Sequence, residues 1–146
     1  MKLKSRLATA GATAALAIGV AQAPAGAVEA GIQYEVSGVS DLECAEASGD
    51  YVYSLIENTA DRYRASYNIG VSTTGRCSSS VIAHLRIQYR EWIGTGWDDT
   101  PYAWKTIATS NGNDWAHDSL YQVKDVHFAV CEYTSSKGNY NCNYVK

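Results

Sequence analysis

Residues 80–92 read SVIAHLRIQYREW, and their alternation is the strongest constraint on what this chain can fold into. Val81, Ala83, Leu85, Ile87 and Tyr89 fall on one side, and Ile82, His84, Arg86, Gln88 and Arg90 on the other. A period of two with one apolar face is the pattern of a half-buried antiparallel strand, which needs neighbours on its edges and an apolar layer against its face. Shorter alternation recurs at residues 32–36, 51–56, 63–71, 103–109, 123–133 and 139–145. Clusters of Asn, Asp, Ser and Gly at 72–75, 110–114 and 135–139 supply turn chemistry between them. The expectation is an all-β protein, an antiparallel β-sandwich of about seven strands.

The first 27 residues stand outside that pattern. Lys2, Lys4 and Arg6 precede an apolar, Ala-rich stretch from Leu7 to Val20, and Ala25-Gly26-Ala27 offers the small residues of a cleavage site. This is the form of a secretory signal, with Val28 as the mature start. Ala21-Gln22-Ala23 is a second possible site, but Pro24 would then follow the cut. Removing the signal leaves 119 residues with 9 Lys and Arg against 15 Asp and Glu, a net charge of −6. That sign and the lack of a basic run argue against nucleic acid, whose binding rests on neutralising phosphates. The apolar stretch of the signal is also shorter than the roughly 20 residues of a spanning helix. A single secreted, extracellular domain is expected.

Cys44, Cys77, Cys131 and Cys142 all follow the signal. An even count in an exported chain reads as disulfides, here two. Three pairings are open; the local one, Cys44 with Cys77 and Cys131 with Cys142, is preferred because the second pair spans what reads as a hairpin. No Cys-x-x-Cys is present and no His lies at a zinc-ligand interval from a Cys, so neither a metal nor another cofactor is expected. Two segments are ambiguous. Ser40-Asp41-Leu42-Glu43 has the form of a helix capping box that Gly49 would end, and helix and strand stand equal there. Residues 28–38 read as an extended N-terminal arm or an edge strand, leaving 39–146 as the disulfide-stapled domain.

Candidates for catalysis are scattered. His84 sits on the wet face of the strongest strand, His127 alternates with Phe128, and His117 lies in Asp114-Trp115-Ala116-His117-Asp118, where two carboxylates flank an imidazole in an apparent loop. Only that last cluster suggests a hydrolase, and no motif surrounds it, so no catalytic residue is assigned and the chain is read as non-enzymatic. Asp98 and Asp99 do not follow the spacing of a calcium loop.

Aromatic placement is more informative. Trp92, Trp97, Trp104 and Trp115 fall close together with Tyr102, and Gly94, Gly96, Asp98, Asp99 and Pro101 mark a long connection. Trp92 and Trp104 are expected to fold inward, with Trp97 and Tyr102 near the tip. Exposed Trp and Tyr anchor protein interfaces, and they also stack on sugar rings.

The run Val123-Lys124-Asp125-Val126-His127-Phe128-Ala129-Val130-Cys131, followed by Gly138-Asn139-Tyr140-Asn141-Cys142, resembles small secreted two-disulfide β-proteins of filamentous actinobacteria. The likeness covers about the last third of the chain. Within that group the chain is similar to the adaptor subunits of umbrella toxin particles, which link a lectin-like subunit to a repeat-bearing toxin chain. The resemblance implies a β-sandwich whose N-terminal arm inserts into a partner by strand addition. The expected function is therefore a secreted protein–protein interaction module in an interbacterial toxin complex. Its partners would be other secreted proteins, met through Val28, Ile32, Tyr34, Val36, Trp97, Asp98 and Tyr102. An inhibitor of a secreted hydrolase and a carbohydrate-binding module are the alternatives.

Overall fold

The computed structural model describes residues 31–146, so the expected signal and cleavage site, and Val28, lie outside the described residues. Seven strands follow in order: β1 (Ile32–Val39), β2 (Ala45–Leu55), β3 (Tyr63–Thr73), β4 (Ile82–Glu91), β5 (Lys105–Ser110), β6 (Asn113–Thr134) and β7 (Gly138–Val145). All pairings are antiparallel, in the order β1-β2-β3-β6-β4-β5, with β7 also on β6. The sheet does not close on itself.

β6 makes this one sheet into two layers. It runs for 22 residues, where the alternation predicts only 123–133. Its first half pairs with β3, and its second half pairs with β4 on one edge and β7 on the other. Between the halves the register slips twice, opposite Tyr63 and Arg64 and opposite Gln88 and Arg90. Gln122 (φ 56°) and Asp125 (φ 51°) take left-handed backbone at these slips. Bulges of this kind bend a strand and let it leave one layer for the next.

The layers face each other across one core. Ala45, Ala47, Tyr67, Ile69, Val71 and Ala116 come from one side, and Ala83, Leu85, Ile87, Ala108, Phe128, Val130 and Val145 from the other. The period-two face of β4 is thus buried as expected. Phe128 meets Tyr51 and Tyr67 edge to face at 5.5 and 5.3 Å between ring centres, a favoured aromatic geometry. Each large apolar side chain buried here contributes about 1.5–3 kcal/mol.

The disulfides are Cys44–Cys77 and Cys131–Cys142, the local pairing. The first ties the turn before β2 to the β3–β4 connection, and the second staples β6 to β7. Residues 40–43 are a turn, not a helix: the Glu43 amide donates to the Ser40 carbonyl, and Glu43 is left-handed at φ 57°. The Ser40 hydroxyl accepts from the amides of Cys44 and Ala45, both at 3.1 Å, and donates to the buried Glu132 at 2.7 Å. Asn141 donates to the other Glu132 oxygen at 2.9 Å. Ser40 therefore performs the amide-accepting role of a cap, but for a turn that feeds a strand, and small residues (Ala45, Ala47, Gly49) extend β2 backward past the expected start at Tyr51.

Candidate functional site

β1 is hydrogen-bonded to β2 along its whole length, from Ile32 opposite Tyr53 to Val39 opposite Glu46. Residues 32–36 are therefore a fixed edge strand, the second of the two forms open to them. On the outer edge, Ser37 exchanges both backbone bonds with Lys146, at 2.9 and 3.0 Å. Alternate residues of an antiparallel strand direct N–H and C=O to the same side. Gln33 and Glu35 therefore face the edge that Ser37 faces, and among the described residues they have no backbone partner there. Natural edges are usually blunted by Lys, Pro, bulges or a covering element. β1 has no Lys, no Pro and no register slip, and it exposes Ile32 (58%) and Tyr34 (45%).

Beside this edge lies a cleft of about 580 Å³. Its floor is the part of the inner face of β1, β2 and β3 that the second layer leaves uncovered: Tyr34, Val36, Tyr51, Tyr53 and Tyr63. The elbow of β6, residues 123–126, forms the facing wall together with Asp61, and Lys146 stands at the rim. Tyr34, Tyr51 and Tyr53 form a row with 6.3 Å between successive ring centres and planes within 25°. Tyr63 continues it at 4.6 Å from Tyr53. Burial, then the neighbouring Tyr53 and Tyr34, pushes the Tyr51 phenol up to about 12. Burial and a hydrogen bond with Tyr63 raise the Tyr53 phenol as well. These hydroxyls stay neutral donors and acceptors at ordinary pH.

The β4–β5 connection supports the wall from behind. Trp92 and Trp97 bridge across a tight turn closed by Ile93 N–H to Gly96 C=O at 3.0 Å, and Gly94 takes φ 93° there. The Trp97 indole donates to Asp61 at 2.6 Å, and the Lys124 ammonium lies 4.4 Å over its ring. Trp97 is therefore half-buried against two residues of the cleft wall and does not project from a loop tip. Arg62 covers Trp92 at 4.1 Å, and Trp104 packs beside Tyr144 while its carbonyl accepts from Arg86 at 2.6 Å. Both tryptophans are half-buried and neither belongs to the core, contrary to the inward placement expected for them. Arg62 covers the Trp92 ring and Tyr144 flanks the Trp104 ring, outside the core.

The structure thus brings Tyr34 and Val36 together in the cleft and places Trp97 behind its wall. Ile32 sits exposed at the start of β1. Asp98 binds within its own loop, accepting from the Thr100 amide at 3.0 Å. Tyr102 lies apart, its ring 5.3 Å from Tyr89 and its hydroxyl donating to Glu91, which raises its phenol to about 12. Sequence reasoning missed Tyr51, Tyr53, Tyr63, Asp61 and Lys124. The tyrosines carried a signal, since alternation puts them on one face, but that face reads as core unless the cover is known to be short.

His117 lies in strand β6, not in a loop. Its segment pairs with β3 without a slip from Asn113 to Tyr121, so alternation sends His117 to one face and Asp114 and Asp118 to the other. Trp115 shares the His117 face and covers Gly70. His84 is buried, hydrogen-bonded to Asn139 at 2.7 Å and stacked on Tyr133 at 4.3 Å. His127 meets the Tyr144 ring edge at 5.8 Å. Among the described residues no group of three or more His, Cys, Asp or Glu is placed to hold a metal ion. No family model, no curated protein and no solved structure matches this chain.

Proposed function

We propose that the protein is a secreted, non-enzymatic interaction module that accepts an extended strand of another secreted protein along the outer edge of β1. The observation that carries this reading is the run of outward backbone groups at Gln33 and Glu35, left without partners among the described residues while Ser37 on the same edge is paired. Such an edge supplies affinity through main-chain hydrogen bonds whatever the partner's sequence, and adjacent side chains supply selectivity. The direction of insertion differs from the arm first expected: here β1 receives a strand. An adaptor in an extracellular toxin complex, joining a lectin-like subunit to a repeat-bearing chain, is the assembly such a module would serve, and that role rests on the resemblance of the last third of the chain.

The test is affinity purification of the tagged protein from the producer's culture fluid, with sizing and mass spectrometry of what accompanies it. A parallel purification uses Gln33→Pro, which deletes one outward N–H and leaves the bonds to β2 in place. Wild type is expected in a complex with other secreted chains, and the variant is expected alone. Wild type recovered only as a monomer, or a variant that keeps every partner, overturns the proposal; lectin-like and repeat-bearing partners would mark the adaptor role.

A further inference from the structure

The cleft adjoins the outer edge of β1, sharing Glu35 and Lys146 with it at the rim, and its chemistry points to a different kind of ligand. Its formal charges are mostly spent within its own wall. Lys124 stands 3.8 Å from Asp61 and over Trp97, and Asp125 lies 3.5 Å from Arg90 across the β6 elbow. Glu35 and Lys146 remain at the rim, one charge of each sign. An anion or a cation would find no surplus of the opposite charge. A purely aliphatic ligand would cover phenol hydroxyls without satisfying them, at a cost of about 1–3 kcal/mol for each.

What the cleft offers is aromatic rings combined with phenol hydroxyls. Tyr34, Tyr51 and Tyr53 present three rings in a row, and their hydroxyls, with that of Tyr63, both donate and accept. The ring of a sugar has the complementary surface, with apolar C–H faces that pack on aromatics and hydroxyls around the edge. The volume of about 580 Å³ lies within the usual range of small-ligand sites, roughly 300–1,000 Å³. We infer that the tyrosine cleft between β1, β2, β3 and the elbow of β6 is a binding site for a neutral saccharide, with a sugar ring packed on Tyr34, the exposed end of the tyrosine row, and held by the phenol hydroxyls.

This inference stands without the strand-edge proposal, and its test separates the two. Calorimetric titration of the disulfide-intact protein with soluble oligosaccharides of chitin, cellulose, xylan and mannan is run beside retention on the matching insoluble polysaccharides. Binding to at least one is expected. Tyr34→Ala, at a half-exposed position that leaves the core packed, should weaken it at least tenfold. Tyr34→Phe should retain the stacking and lose only the hydroxyl's share, while Gln33→Pro, which deletes an outward N–H of β1 at a residue that does not line the cleft, should leave it unchanged. The absence of binding across the panel overturns the inference, as does binding that Tyr34→Ala leaves intact. Loss of a protein partner in Tyr34→Ala, with no saccharide bound by wild type, would also overturn it and assign the cleft to the partner's side chains.

Discussion

His84 occupies the face of β4 that alternation assigns to water, yet β7 brings Asn139 to its ring and β6 lays Tyr133 over it. Burial lowers its pKa, opposed by the hydrogen bond that the ring Nδ1–H donates to the Asn139 side-chain oxygen and aided by the nearby Arg86 charge, so the ring is neutral in the fold at neutral pH. In acid the unfolded chain takes up a proton at this residue that the folded chain refuses. The associated stability is present above the ordinary histidine pKa of about 6.5 and is lost as pH falls through the lower folded value. Urea unfolding at about pH 7.5 and about pH 5 should therefore show a larger drop in midpoint for wild type than for His84→Gln; equal drops would refute this. The residue's place in the strand was legible from the sequence. Its burial was not, because period two tells which face a side chain takes and nothing about what later covers that face.

Among the elements, β2 shows where the backbone itself sets the packing. A Cβ added at Gly49 would meet the Asn68 carbonyl oxygen at 2.1 Å and the Ile69 Cα at 2.7 Å, both on the neighbouring strand β3. Neither can move without breaking the ladder that holds the cleft floor. Gly49→Ala should thus destabilise the fold by about 1–3 kcal/mol, the usual cost of forcing extra volume into a packed region. Chemical denaturation checks this, and a change under about 0.5 kcal/mol would show that β2 and β3 part easily. The sequence located all seven strands, but read Gly49 as a helix stop and Asp114 to Asp118 as a loop. In both places small or polar residues conceal a strand whose partners lie far along the chain: Gly49 opposite Ile69, and Ala116 also opposite Ile69. Local patterning contains no term for such pairing.

At the scale of the whole molecule, the two disulfides differ in how much chain they close. Cys44–Cys77 spans 33 residues and Cys131–Cys142 spans 11. Loop-closure entropy assigns about 4 kcal/mol to the first and about 3 kcal/mol to the second. Replacing the first pair by Ser should therefore cost more than replacing the second, as read from unfolding midpoints; the reverse order would place their effect in the native state. The spacing of the cysteines made this pairing readable, whereas the cleft was not, since it exists only because one layer is shorter than the face it covers. β6 carries a final consequence, one of timing. A chain emerging from its N-terminus can join β1 to β2 and β3, and β4 to β5, but no strand pairing links these two groups until β6 arrives, because among the described strands it alone pairs with both β3 and β4. Both halves of the core wait in the open for the sixth strand. Such late, distant pairing places the protein among the slower folders, in the millisecond to second range.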